Sequence, residues 1–256
     1  MITLRRIVEL LSRGIIVKRK IKVNDHNIPI YITPDAQLKY LKLGKNAFDS
    51  DLINIAKKFL QKGSNVWDIG GNVGVFAFAA SEIATDGKIL CVEADIWLAS
   101  IIMKSKRLKQ NIAKDISILP AAISNNNSIA QFLISQKGRA YNSLAESKGR
   151  SQMGGIREIN YVPTFTLDSL LEVFEKPDFV KIDIEGAELL ALQGASNLIA
   201  NIRPMFYIEI GEDVSKEVFE LFNKNNYKAF DYNGLTKSAG SFDNVFFVPS
   251  EKKHVF

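Results

Sequence analysis

Val66-Trp-Asp-Ile-Gly-Gly-Asn-Val-Gly-Val-Phe76 is the stretch whose reading decides the fold. An apolar run meets an acid, Asp68, then a glycine-rich turn, then a second apolar run that reads as a helix. Gly70, Gly71 and Gly74 lack Cβ, so the backbone can turn tightly and come close to a ligand. Lys88-Ile-Leu-Cys-Val-Glu93 reads as the next strand and ends on a second acid. A carboxylate at the end of the second strand of a βαβ unit can hold both hydroxyls of an adenosine ribose. Together the two motifs describe a nucleoside pocket.

A dinucleotide site asks for G-x-G-x-x-G, with the pyrophosphate seated on a helix N-terminus. Glycines at 70, 71 and 74 miss that spacing, and Asp68 would repel a diphosphate. A cationic ligand reverses the sign. S-adenosylmethionine carries a sulfonium and an ammonium, and an acid beside the turn suits both by Coulomb attraction. D-x-G-x-x-x-G followed by an acid ending the next strand resembles the pattern of class I methyltransferases.

Outward from this motif, the chain alternates. A helix is expected at about 50–61, then strand 65–69, helix 73–84, strand 88–93, helix 97–111 and strand 116–120. That order predicts an α/β fold, a doubly wound and mostly parallel sheet with helices on both faces. After a short strand at 129–134, residues 135–158 form a long polar stretch without clear period, read as an inserted loop. Alternation resumes with strand 159–165, helix 167–174, strand 178–184, helix 186–200, strand 204–210, helix 214–224 and strands 227–232 and 243–249. Residues 15–33 predict a β-hairpin with a polar tip at 24–27. The organisation is thus an N-terminal extension, 1–48, and one catalytic-type domain, 49–256, carrying the insert 135–158.

The 256 residues suffice for one large α/β domain. A single cysteine, Cys91, in an apolar strand argues against a disulfide framework and fits a reducing cytoplasm. No apolar run reaches membrane-span length. Near the N-terminus, Leu4, Ile7, Val8 and Leu11 fall at helical spacing, interrupted by Arg5, Arg6, Glu9 and Arg13. This is an amphipathic helix, expected to pack on the domain, with a partner or a membrane surface as the alternative. A formal net charge of +5 is spread over several short clusters, which solvated faces explain without nucleic acid. Oligomeric state leaves no mark on the sequence.

A second motif, Lys181-Ile-Asp-Ile-Glu-Gly-Ala-Glu188, brings charge to the end of an apolar strand. Ligands of doubly wound sheets bind beyond the carboxyl ends of the strands, so Asp183 and Glu185 fall where a methyl acceptor would lie. Lys181 and Asp183 share a strand face and could pair. With Asp68 to Gly74, Val92-Glu-Ala94, Pro120-Ala-Ala-Ile-Ser124, Thr166-Leu-Asp-Ser-Leu170, Leu192-Gln-Gly-Ala195, Tyr207-Ile-Glu-Ile210 and Asn244-Val-Phe-Phe-Val-Pro249, the sequence resembles the FkbM family of S-adenosylmethionine-dependent methyltransferases. The likeness spans about residues 40–250. It implies a seven-stranded sheet with the last strand antiparallel and inserted between the fifth and sixth. It also implies O-methylation of hydroxyls on sugars, glycoconjugates or polyketide-like molecules. Under it, Asp68, Gly70, Gly71, Asn72 and Gly74 form the methionine-side turn and Glu93 binds the ribose. Ala94 and Asp95 flank the adenine, with Ala121 and Ala122 on its other side. Gly71 departs from the alanine common in such sequences, and a second glycine would loosen the turn slightly.

Methyl transfer to a hydroxyl requires alignment and removal of a proton. His26, at the hairpin tip, and His254, near the C-terminus, read as surface residues, which leaves Asp183, Glu185 and Glu209 as base candidates. The same three acids could bind Mg²⁺, or could cap the following helix. Tyr141, Asn142 and Ser143 in the insert are candidate acceptor contacts. An N-methylating or nucleic-acid enzyme usually carries a proline-aromatic motif after the fourth strand; here that place reads Asp183-Ile-Glu-Gly. A nucleotide-dependent oxidoreductase and a non-catalytic donor-binding scaffold complete the alternatives.

Overall fold

Strands buried on both faces form a sheet between two helical layers, each strand sending alternate side chains to opposite cores. The computed structural model describes residues 4–42, 48, 50–147, 153–240 and 243–252. In chain order the elements are α1 Leu4–Leu11, β1 Val17–Val23, β2 His26–Ile32, α2 Ser50–Phe59, β3 Val66–Ile69, α3 Val75–Ile83, β4 Ile89–Val92, α4 Ile96–Lys106 and β5 Ile116–Leu119. There follow β6 Ala122–Ile123, β7 Ser128–Ser135, β8 Ser143–Leu144, β9 Ile156–Phe165, α5 Leu167–Leu170, β10 Phe179–Ile182, α6 Glu188–Gln193, β11 Met205–Ile210, α7 Glu212–Lys224, β12 Tyr227–Phe230 and β13 Asp243–Pro249.

The main sheet has seven strands in the order β12-β13-β11-β10-β3-β4-β5. Strands β11 through β5 of that order run parallel. The last strand, β13, lies antiparallel between β11 and β12, as the resemblance implies. Val66, Ile89, Phe179 and Met205 face one core, shared with α2, α3, α4 and the β1–β2 hairpin. Trp67, Ile69, Leu90, Val180, Ile182, Phe206 and Ile208 face the other, under α5, α6 and α7. The hairpin forms as its sequence predicts, and its Ile21, Val23, Ile28, Ile30 and Ile32 are buried in the first core.

Three local expectations are corrected. Over its described residues the stretch 135–158 is not a free loop: its ends extend β7 to Ser135 and start β9 at Ile156, and between them sit a 3-10 turn, Arg139–Tyr141, and β8. With β6 these make a second sheet, β6-β9-β7-β8, over a small core of Ala122, Phe132, Ile134, Leu144, Val162 and Ala187. The helix expected at 186–200 breaks into α6 and a π-helical turn, Leu198–Ile202. Gly194 caps the end of α6, and a Cβ there would collide with the Ser124 carbonyl. Finally, α1 turns Glu9 and Ser12 inward with Val8 half-buried and leaves Ile7 and Leu11 exposed together with Leu10, against the packing its periodicity predicts.

Candidate active site

The carboxyl ends of β3, β4, β10 and β11 open into one cavity of about 560 Å³, within the ordinary range for small-molecule sites. Residues 36–40 of the N-terminal segment and 139–142 of the insert close it from the opposite side. Asp68, Gly70, Gly71, Asn72, Glu93, Ala94, Ala121, Ala122, Asp183, Glu185 and Glu209 all line it. Gly74 and Asp95 do not.

The glycine turn is shaped by the protein's own packing. Gly70 has φ +83°, and a Cβ there would overlap the Asp183 carbonyl of the neighbouring strand end. At Gly71 a Cβ would overlap Cys91 Sγ. The second glycine therefore does more than loosen the turn: it makes room for the thiol of β4. Gly74, with φ +86°, starts α3 and packs on Phe78 and Ile102. Asn72 sits in the left-handed region at φ +54°, a conformation asparagine tolerates better than most residues.

Asp68 is fully buried, in a cross-strand row Cys91–Asp68–Lys181–Tyr207 on the α3 face of the sheet. Its Oδ1 lies 3.1 Å from Lys181 Nζ, and its Oδ2 accepts from Ala77 N of α3 at 3.1 Å. Lys181 also donates to the Gly70 carbonyl at 3.0 Å, and Asp183 is 3.8 Å from its ammonium. Burial raises the Asp68 pKa, with Lys181 pulling in the opposite direction. Burial opposes the Lys181 charge, but the Asp68 and Asp183 carboxylates overcome it and hold the lysine protonated. The charge of Asp68 is thus spent inside the protein, stapling the turn to β10 and α3. Lysine 181 pairs across the strands first and along its own strand second.

Glu93 Oε2 accepts from Asn72 N at 2.6 Å, and Oε1 from Asp95 N at 2.8 Å. Burial pushes its pKa up to about 8. Asp95, read from sequence as flanking the adenine, caps α4 by accepting from Trp97 N and Leu98 N. Its other oxygen takes Arg139 Nη1 at 2.5 Å and Asn142 Nδ2 at 2.8 Å. Arg139 also binds Asp35 at 3.1 Å and lies over the Trp97 ring, and Arg157 grips Asp35 through both oxygens. This latch fastens the insert and the N-terminal segment to the helix that follows Glu93. Sequence reasoning missed Arg139, because its partners lie 44 and 104 residues away.

On the opposite wall, carboxylate oxygens of Asp183, Glu185 and Glu209 come within 4.8 Å of one another, all half-buried. Glu185 takes φ +51° and Gly186 φ +95°, and this tight turn is held by Glu188, whose carboxylate accepts from Gly186 N and Ile184 N. The helix-start acid is therefore Glu188. Asn244 stands opposite Glu209 in the β11–β13 ladder and also lines the cavity. Tyr141 and Asn142 reach the wall whereas Ser143 does not, and the Asn142 amide is committed to Asp95 and Ser135 N. His26 is exposed and paired with Glu82, away from the cavity; His254 lies outside the described residues.

Among the described residues, two that line the cavity carry buried acceptor oxygens without a protein donor: Asn72 Oδ1 and Gln37 Oε1. A ligand bearing hydroxyls and an ammonium would donate to them, so these acceptors fit S-adenosylmethionine. Gln37 was not marked by any sequence signal.

The family model described as the methyltransferase FkbM domain matches residues 68–229. The crystal structure of methyltransferase FkbM from Methylobacillus flagellatus KT superposes with a TM-score of 0.51 at 16% identity. That match covers 73% of this chain and 44% of the Methylobacillus chain, so this protein spans less than half of its length. A SAM-dependent O-methyltransferase from Thermotoga maritima matches at 9% identity, TM-score 0.46, over 90% of this chain and 76% of that one. The M. jannaschii tRNA m1G37 methyltransferase does so at 14% identity, TM-score 0.41, over 90% and 53%. No curated protein matches the sequence. Among the described residues, no helix is long and apolar enough to cross a membrane.

Proposed function

Since this chain belongs to the FkbM methyltransferase family, we propose that it transfers a methyl group from S-adenosylmethionine to a hydroxyl of a sugar, glycoconjugate or polyketide-like acceptor. The observation that carries the reading is the meeting of two half-sites in one cavity. The turn with Glu93 makes one half, and the Asp183–Glu185–Glu209 cluster makes the other. When bound, S-adenosylmethionine supplies an electrophilic methyl on a positively charged sulfur. The Gly70–Asn72 turn and Glu93 position it, Glu93 accepting from the ribose hydroxyls and Ala94, Ala121 and Ala122 lining the adenine side. The acidic cluster orients the acceptor hydroxyl and takes its proton on a carboxylate oxygen. Because Asp68 is neutralised by Lys181, the turn holds the donor through its shape, its backbone and Glu93 rather than through the charge of Asp68.

The test offers methyl-labelled donor with panels of hydroxyl, amine and RNA acceptors, then compares Asp183→Asn and Glu185→Gln. Label on oxygen, with turnover down about 10²–10⁴-fold and donor affinity within about twofold, supports the reading. Label on nitrogen, or unchanged turnover in both variants, overturns it. The close spacing of the three carboxylates favours a second reading, a Mg²⁺ site that lowers the hydroxyl's pKa. Activity lost on chelation and restored by Mg²⁺ would move the acids to that role.

A further inference from the structure

Helix α1 is inside out. Ile7, Leu10 and Leu11 share one helical face and are 43%, 41% and 73% exposed, and Ile15 follows at 45%. Glu9 and Ser12 are the buried side chains, Ser12 bonding back to the Glu9 carbonyl and Arg13 holding the Gln136 carbonyl of the insert at 3.2 Å. An aliphatic ridge directed at solvent is uncommon on a surface helix and marks an interaction site.

The chain leaves this ridge directly into β1, whose outer face presents Lys18, Lys20 and Lys22. The hairpin lies against the end of α4, with Tyr31 N donating to Ser105 Oγ at 2.7 Å and Asn111 Nδ2 to the Pro29 carbonyl at 2.7 Å. Lys104 Nζ sits over the Tyr31 ring, and Tyr31 is the ladder partner of Lys18, so the two lysines belong to one surface. Arg107 and Lys109 continue it, both exposed. Among the described residues none of these six cations has a carboxylate partner. Glu82, near the hairpin tip, is taken by His26 and Lys114.

We propose that the α1 ridge and the β1–α4 basic face together dock this protein on an anionic lipid bilayer surface. Aliphatic side chains entering the headgroup boundary and lysines attracted to anionic lipid are the two terms of interfacial binding. A second copy of the chain is disfavoured, because two such faces repel. A nucleic acid would be served by the cations alone and finds no exposed aromatic stacking platform on the ridge. Glu9 lines the cavity from the inward side of the same helix. Docking therefore sets the cavity beside the headgroups, where, given the proposed transfer, the hydroxyl of a lipid-linked acceptor is reached.

The test is sedimentation of the full chain with phosphatidylcholine vesicles, with or without phosphatidylglycerol, in the absence of donor and acceptor. Its failure therefore leaves the transfer chemistry untouched. Binding confined to the anionic vesicles is expected. It should weaken at least about tenfold in K18E/K20E/K22E and also in Leu11→Ser, with melting temperature and donor binding unchanged in both. No binding at low salt overturns the proposal. So does binding that Leu11→Ser leaves intact while RNA competes fully, since the face would then be a general polyanion site.

Discussion

The two walls of the cavity use the same residue types to opposite ends. On the turn side, Asp68 and Glu93 are 0% and 7% exposed, and their oxygens are engaged by a lysine or by backbone N–H groups. On the other side, Asp183, Glu185 and Glu209 are half-buried and crowd together at the strand ends. Carboxylates of the first kind are tied into the framework of the turn; those of the second kind, under the proposed function, meet the acceptor.

The comparison breaks most visibly at the buried pair. Lys181→Met leaves Asp68 without a counter-charge in the sheet and should cost about 3–5 kcal/mol in urea unfolding. The double variant Asp68→Asn with Lys181→Met should cost less than Lys181→Met alone; an additive result would deny the pairing. Next comes the turn. Gly71→Ala should cost about 1–3 kcal/mol by overpacking against Cys91, and adding Cys91→Ala should return about 1 kcal/mol or more of that loss.

Glu93 sharpens the contrast through pH. Its folded pKa of about 8 lies above the ordinary 4.5, so the folded protein favours the protonated acid. That contribution to stability is fully present below about pH 4.5 and is lost as pH rises through about 8. Under the proposed function ribose hydroxyls donate to the ionised form, so donor binding near neutrality should release protons. Calorimetry in buffers of differing ionisation enthalpy should show the release, and Glu93→Gln should abolish it. The smallest effect closes the series. Asp183→Asn and Glu185→Gln, expected under the proposed function to cut turnover, should leave unfolding free energy within about 0.5 kcal/mol of the parent.

Most of the sheet is readable from the chain because β3, β4, β10 and β11 are apolar runs separated by turns or helices of ordinary length. The hairpin is readable because Ile21, Val23, Ile28, Ile30 and Ile32 keep strict alternation. What resisted reading depends on pairs distant in sequence. Residues 135–158 look featureless because β8 is two residues long and Arg139 is ordered by Asp35 and Asp95. Asp68 reads as a ligand-facing acid until cross-strand register sets Lys181 beside it. The reversal of α1 is invisible to periodicity, which reports that a helix has two faces but not which one meets the core. The acid cluster was legible as separate strand-end residues, and the fold supplied only their proximity.

The lone cysteine offers a last consequence. Cys91 is fully buried, with its thiol pKa driven upward by burial, and its sulfur occupies the space behind Gly71. No other thiol competes for reagent. Its alkylation rate in the native protein therefore clocks how often the cradle breathes, and a bound donor that clamps the turn should slow that clock without touching the sulfur.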